Sequence, residues 1–207
     1  MSSNDLWPTI HAERQALADD LEGLTDAQWR TPSLCSGWSV RDVLAHLTGS
    51  ASSTFPKFFG RLARSGFRPT TMLDGLIAEN LGDTHEETLA RFKAQVHSTG
   101  KPFPPTALWL GEALVHGEDI RQPLGIAHTY PPDGLQRVAE LYRKANLDGS
   151  RKRTKGLTFR ATDAAWSVGE GPEVTGPGIA LVQAMSGRTV GLDHLSGDGA
   201  ATLKERC

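Results

Sequence analysis

Two side chains that can bind a metal ion, Glu112 and His116, stand four positions apart in the segment with the strongest helical pattern of the chain. On a helix, side chains at this spacing leave the same face about one turn from each other. Zinc sites use the spacing because two ligands on one rigid turn can reach a single ion at about 2 Å from each. The pair alone is weak evidence, since most such glutamate–histidine pairs are solvated surface contacts.

A third candidate ligand, His46, lies at the border of the apolar stripe of an earlier predicted helix. A single histidine in such a place is more often a hydrogen-bonded core residue than a ligand. Its combination with Glu112 and His116 favours a ligand, because facing helices of a bundle commonly build metal sites. Two imidazoles and one carboxylate leave a coordination position open, which is typical of catalytic zinc, and they also suit nickel or iron. An ion held there would lower the pKa of a bound water or deprotonate a bound thiol.

The two helices that must position these ligands are marked by capping residues and apolar spacing. Ser39 and Asp42 fit a capping box, in which each side chain accepts a hydrogen bond from a free backbone N–H at the helix start. The later helix is predicted over residues 106–121, ended by Pro123 and Gly125. The apolar stripe of the earlier helix consists of Val40, Val43, Leu44 and Leu47.

The remaining helices are predicted from the same kinds of pattern. The first helix has apolar residues at helical spacing, interrupted only by Arg14. Asp83 and Glu86 form another candidate capping box, which would open a helix of its own. The other predicted elements are helices over residues 5–24, 72–81 and 133–147 and a loop or broken helix over residues 50–69.

The hydrophobic pattern changes near residue 150, after the basic segment GSRKRTK. The following stretch, LTFRATDAAWSVGEGPEVTG, alternates and is broken by Gly and Pro at strand-like intervals. The stretch GIALVQAM predicts one short helix that ends at Gly187. We therefore predict an α+β chain that is mostly α, with a helical bundle over residues 1–150 and a small mixed α/β C-terminal domain over residues 151–207.

Composition excludes several classes of partner. Lysine and arginine number 22 against 24 acidic residues, a net charge of −2, which favours neither nucleic acid nor an anionic membrane. No apolar run approaches the roughly 20 residues of a membrane helix, and the start of the sequence lacks the pattern of a secretory signal. The two cysteines, Cys35 and Cys207, do not resemble a disulfide framework. We expect a cytoplasmic protein with reduced thiols, in which Cys35 is a buried structural residue or, alternatively, a catalytic thiol.

Two segments that contain the candidate ligands resemble a known family. PSLCSGWSVRDVLAHL (32–47) and LGEALVHGEDIRQPLG (110–125) are similar to the signature segments of the mycothiol-dependent maleylpyruvate isomerase family, part of the DinB-like metalloenzyme superfamily. The C-terminal stretches RATDAAWSVGEGPEVTG and MSGRTV resemble the second domain of that family. The likeness therefore extends over nearly the whole chain.

The resemblance implies a DinB-like four-helix bundle in which His46, Glu112 and His116 hold a divalent metal, with zinc as the expected ion. It also implies mycothiol or a similar low-molecular-weight thiol as cosubstrate and a small electrophile as substrate. Arg188 matches an arginine that helps to engage the substrate's carboxylates; a solvated cation at a helix C-terminus is the alternative. Residues 50–100 are expected to line much of the pocket, with Trp38 and Trp109 as core or pocket wall.

The chemistry that these residues support remains open among three functions. In the first, a metal-activated thiol adds to the electrophile, and the enzyme is an isomerase or an S-transferase. In the second, the protein binds metal without turnover as a regulatory or binding protein. In the third, a metal-bound hydroxide makes it a hydrolase. Asp119 is expected either to orient a ligand or to pair with Arg121 or another cation, and the other five histidines are expected on the surface or in loops.

Overall fold

The computed structural model describes residues 5–207. The first four residues, which belong to the stretch that was compared with a secretory signal, lie outside the described residues. The chain divides into two compact units, Met1–His128 and Thr129–Cys207, here called the N-terminal and C-terminal units. Within the described residues, no helix combines the length and the apolar character needed to cross a membrane.

The regular secondary-structure elements in the described part of the N-terminal unit are helices, joined by loops. Helices α3 and α7, which carry the candidate ligands, pack against each other, and α3 also packs against α5 and α6 while α1 packs against α7. The core at these contacts includes Leu17, Leu44, Phe92 and Ile120. The helices of this unit are α1 (Trp7–Asp20), α2 (Asp26–Trp29), α3 (Val40–Ala51), α4 (Phe55–Arg64), α5 (Pro69–Asn80), α6 (His85–Lys93) and α7 (Thr106–Leu124).

Helix α3 begins as the sequence predicts. The Ser39 hydroxyl accepts a hydrogen bond from the backbone N–H of Asp42, and the Asp42 carboxylate accepts one from the backbone N–H of Ser39 at 2.9 Å. All four residues of the predicted stripe are buried. Since this stripe faces the core, the helix has only one rotational setting, and that setting fixes the direction in which His46 leaves it.

The C-terminal unit combines helices with a three-stranded sheet in the order β2-β1-β3. Strand β1 pairs with β2 in antiparallel and with β3 in parallel orientation, and Phe159 stands opposite both Val168 and Val174. Helix α10 packs against this sheet and ends at Gly187, which has a positive φ of 100°. The elements are α8 (Pro132–Lys144), α9 (Ser150–Thr154), β1 (Thr158–Ala161), β2 (Ser167–Gly169), β3 (Glu173–Gly176), α10 (Gly178–Ser186), a 3₁₀ turn (Leu192–His194) and α11 (Ala200–Lys204).

The division between the units lies after His128, whereas the sequence predicts a boundary near residue 150. The difference arises from α8, which the sequence assigns to the helical bundle. In the structure α8 packs against α9, α10 and β2. Its apolar residues Leu135, Val138 and Ala139 are buried. An amphipathic helix shows which of its faces is buried but not which neighbour buries it.

Candidate metal centre

Helices α3 and α7 bring the three predicted ligands together in the N-terminal unit. The Nε2 atom of His46 lies 3.0 Å from Oε2 of Glu112, and Nε2 of His116 lies 3.9 Å from the same oxygen. The two imidazole rings meet edge to face with their centroids 4.9 Å apart. One ligand atom from each residue lies within 4.8 Å of the other two. The packing of α3 against α7 therefore brings His46 and Glu112 into contact, although 66 positions separate them in the sequence.

The geometry and chemistry of this cluster fit a divalent metal ion. Bonds of about 2 Å to zinc place tetrahedral ligand atoms roughly 3.3 Å from one another, a separation that lies between the two distances to Glu112. His46 is nearly buried and Glu112 is partly exposed. Three protein ligands with one side toward solvent leave room for a further ligand. The same donor set also accepts iron or nickel.

Asp119 lies directly behind His116. The side chain of Asp119 is fully buried, and its Oδ2 accepts a hydrogen bond from Nδ1–H of His116 at 2.9 Å. A carboxylate in this place fixes the histidine tautomer that offers Nε2 to a metal. Of the two roles expected for Asp119, the structure therefore supports the ligand-orienting one. Arg121 instead donates from Nε to Asp20 at 2.7 Å.

Cys35 shares this carboxylate. Its thiol donates to Oδ2 of Asp119 at 3.1 Å and lies 3.5 Å from Nδ1 of His116. Cys35, His116 and Asp119 also lie close enough together to hold a metal. Their polar atoms, however, hydrogen-bond one another, and Nε2 of His116 points to the other cluster. Cys35 is half-buried, and its thiol contacts Asp119 and His116 on the side away from the candidate ligand atom Nε2.

The loop that carries Cys35 is attached to α7 through a proline. Pro123 lies inside the last turn of α7 and has no N–H to donate to the carbonyl of Asp119 four residues earlier. That carbonyl instead accepts a hydrogen bond from the backbone N–H of Leu34 at 3.1 Å. The helix continues to Leu124 and ends at Gly125, whose φ of 69° is left-handed. The predicted end at residue 121 is therefore three residues too early, because a proline in the final turn leaves only one carbonyl without its helical partner.

The electrostatic environment of His116 favours a proton on the ring. Burial opposes the imidazolium, but the hydrogen bonds with Asp119 and Cys35 and the charges of Glu112 and Asp119 raise the pKa of His116 to about 10. A metal ion at Nε2 must displace this proton, so metal binding is expected to be coupled to proton release.

Arg14 is a charged neighbour of the centre that the sequence analysis did not assign. It is 5% exposed, and its Nη1 donates to the carbonyl of Ser98 at 2.8 Å. Burial lowers the pKa of Arg14 to about 10, and the charge of Glu112 opposes this shift, which indicates that the two groups interact. The signal was present in the sequence, because Arg14 is the residue that interrupts the apolar face of α1.

A cavity of about 150 Å³ opens beside His46 and Glu112. Much of its remaining wall comes from residues between 50 and 76, as the sequence predicts for the region between the two signature segments. Trp109 lines the cavity, which agrees with its predicted place in the core or the pocket wall. Trp38 packs against the His46 ring at 5.2 Å between centroids.

The other residues weighed from the sequence lie elsewhere. His128 contacts Glu13 at 3.0 Å, and His85 stacks on Trp29. Arg188 follows α10 in the C-terminal unit, where its Nη1 lies 3.4 Å from the hydroxyl of Ser186. The role of Arg188 toward a substrate stays a prediction.

Comparison with known proteins gives one matching family and two solved structures. Residues 10–103 match the family model of the mycothiol maleylpyruvate isomerase N-terminal domain. No curated protein sequence matches the chain. The crystal structure of a mycothiol-dependent maleylpyruvate isomerase is similar with a TM-score of 0.60 and 16% identity, covering 94% of this chain and 92% of that one. The structure of a histidine-to-alanine mutant of a mycothiol-dependent maleylpyruvate isomerase has a TM-score of 0.59 and 14% identity over the same shares.

These similarities confirm the predicted fold class, a mostly helical DinB-like α+β chain with a small mixed α/β part. The matched residues 10–103 include the first signature segment, which agrees with its resemblance to that family. Residues 10–103, which lie within the N-terminal unit, thus match a mycothiol maleylpyruvate isomerase N-terminal domain, and the chain shares its fold with a mycothiol-dependent maleylpyruvate isomerase.

Proposed function

We propose that the chain is a divalent-metal enzyme, with zinc as the expected ion, that uses a low-molecular-weight thiol such as mycothiol to attack a small electrophile. The observation that carries the proposal is the convergence of His46, Glu112 and His116 within 4.8 Å of one another beside a cavity. The family match supports the thiol, since the matched domain is named after a mycothiol-using isomerase.

In this proposal the ligands and their neighbours have distinct tasks. His46, Glu112 and His116 would hold the ion, whose positive charge would lower the pKa of a thiol and so supply thiolate near neutral pH. Asp119 keeps the Nδ1 proton of His116 in place at 2.9 Å and so presents Nε2 as the donor. Arg188 is proposed to engage an anionic group of the substrate.

The thiolate can serve two outcomes with the same first step. Its sulfur forms a bond to one carbon of a conjugated double bond, and the electron pair moves onto the neighbouring carbonyl. In an isomerase the former double bond, now a single bond, rotates; the electron pair then returns from the carbonyl to re-form the double bond as the C–S bond breaks and the thiolate leaves. In an S-transferase the electron pair returns to the carbon next to the carbonyl, that carbon takes up a proton, and the adduct is the product.

The test compares metal content with thiol chemistry. Elemental analysis of the purified chain is expected to find about one divalent ion, and thiol consumption with a small electrophile is expected to require it. His116→Ala removes one of three ligands and is expected to lose both, with circular dichroism still helical. The matched control is His194→Ala, because His194 is an exposed histidine in the C-terminal unit.

Three results would contradict parts of the proposal. Unchanged metal content in His116→Ala would remove this residue from the site. Bound metal without turnover of any thiol would favour a binding or regulatory protein. Hydrolysis of a substrate without added thiol would favour the hydrolase.

A further inference from the structure

The cavity beside the candidate metal centre is built mainly by side chains of four helices, α3, α4, α5 and α7. From α5, Leu73 and Leu76 point into it, and from α4, Phe58 and Arg61 do so one turn apart. Trp109 of α7 completes the wall one turn before the ligand Glu112. The cavity therefore adjoins the place where the proposed thiol chemistry occurs, and it lies wholly within the N-terminal unit.

The surface of the cavity is mainly apolar. Apart from the ligands, its wall is made of leucine, methionine, proline and aromatic side chains with two serines and one arginine. Phe58 is held by an edge-to-face contact with Phe103 at 4.7 Å. A cavity of about 150 Å³ with apolar walls is the size that admits a benzene ring.

Away from the metal ligands, the charge in the cavity wall is already paired. Arg61 is the one lysine or arginine among the described lining residues, and its Nε donates to Glu79 at 2.9 Å. Its Nη1 donates to the hydroxyl of Ser53 at 3.2 Å. Away from the metal ligands, a carboxylate placed here would be buried against a single cation that already has a carboxylate partner, which is unfavourable. An uncharged group meets no such cost.

A glycine on α3 maintains the space. A Cβ at position 49 would lie 2.5 Å from Cδ1 of Leu76, so α3 and α5 can approach this closely only with glycine there. Any larger residue at Gly49 would displace the Leu76 side chain, which lines the cavity. The close approach of α3 and α5 beside the cavity therefore depends on Gly49.

We propose that the apolar part of this cavity, away from the metal ligands, binds an uncharged six-membered ring of the electrophilic substrate in preference to a carboxylate. The proposal rests on the proposed function only in naming the occupant as the substrate of thiol addition. The fit of the ring rests on the volume of the cavity, the apolar side chains of its wall and the pairing of Arg61 with Glu79.

The experiment measures binding of two probes to the full chain without thiol, after a chelator has removed bound metal so that no ion can bind the carboxylates. Benzyl alcohol represents the uncharged ring, and maleate represents a dicarboxylate. Leu73→Trp fills the cavity and is expected to weaken benzyl alcohol binding at least tenfold by NMR titration. Thr71→Trp is the matched control, because Thr71 is exposed on the same helix, and it is expected to leave the dissociation constant unchanged.

A second variant keeps the test decisive if the first does not fold. Leu73→Ala enlarges the cavity and is expected to bind 1-naphthalenemethanol at least tenfold more tightly than the unaltered chain, a gain that misfolding cannot produce. Equal benzyl alcohol binding in the unaltered chain and a folded Leu73→Trp would overturn the proposal, as would displacement of benzyl alcohol by maleate. Because no thiol is present, failure of thiol turnover would count against the proposed function and not against this cavity.

Discussion

Replacing Asp119 with asparagine tests how the centre is supported. The substitution keeps the shape of the side chain and removes its charge. The amide can then present its oxygen to His116 Nδ1–H with weaker attraction, or present its NH₂ group and force the proton to Nε2. Either result makes Nε2 a poorer metal ligand, because the present carboxylate accepts the Nδ1 proton at 2.9 Å.

The expected loss of affinity follows from burial. Removing such a partner typically weakens metal binding by about 10- to 100-fold. The Asp119 side chain is 0% exposed, so water cannot replace it, and we expect the upper end of that range. A hundredfold change corresponds to about 2.7 kcal/mol.

The assay is competition for zinc between the protein and a chromophoric chelator at fixed pH. Asp74→Asn is the control, since it makes the same chemical change at an exposed position of the same unit. A zinc affinity for Asp119→Asn within twofold of the unaltered chain would refute the role assigned to Asp119. Circular dichroism and thermal unfolding of each variant verify that the fold persists.

Three other perturbations have expected outcomes. Arg188→Ala should reduce turnover more than metal content, measured by kinetics and elemental analysis; an unchanged rate would remove Arg188 from the reaction. Because the folded-state pKa of His116 is raised from its ordinary 6.5 to about 10, its charge stabilises the metal-free protein fully below pH 6.5, and this contribution is lost as the pH rises toward 10. Urea unfolding should show that decline, and His116→Gln should reduce it; equal declines would contradict the assignment. Phe92→Ala should lower the free energy of unfolding by about 3–5 kcal/mol, because Phe92 is 0% exposed, whereas Phe55→Ala, at 56% exposure, should change it by less than about 0.5 kcal/mol. Similar losses would contradict the assigned core.

Local signals predicted the ligand-bearing helices well. The capping box of Ser39 and Asp42 and the apolar stripe behind it were sufficient to orient α3, because both act within a few residues. The second capping box was wrong by one position. Thr84 caps α6 and accepts from the backbone N–H of Glu87, while the Glu87 carboxylate accepts from the backbone N–H of Asp83. Neighbouring acids and hydroxyls offer the helix start several registers of similar energy.

Long-range partners could not be read in the same way. Helix α4 lies in a region predicted as a loop or broken helix, because the stretch mixes helix breakers with aromatic residues. Its aromatic residues and Leu62 nevertheless follow helical spacing, and all of its described residues are at least partly exposed. The short helix α11 lies in a glycine-rich tail without helical spacing and was missed. The interaction of Arg14 with Glu112 joins α1 and α7, and nothing near Arg14 in the sequence indicates that partner. Packing decides these features, and packing depends on residues far away in the chain.

Pro123 joins the two signature segments mechanically. A proline usually marks the end of a helix. Here it leaves the carbonyl of Asp119 free to accept a hydrogen bond from Leu34, in a loop far earlier in the chain. The loop that bears Cys35 is consequently anchored to the same turn of α7 that holds Asp119 behind His116. A small displacement of that loop must therefore be transmitted to the imidazole, so the precision of the centre depends on a backbone contact that no side-chain comparison of the ligands would reveal.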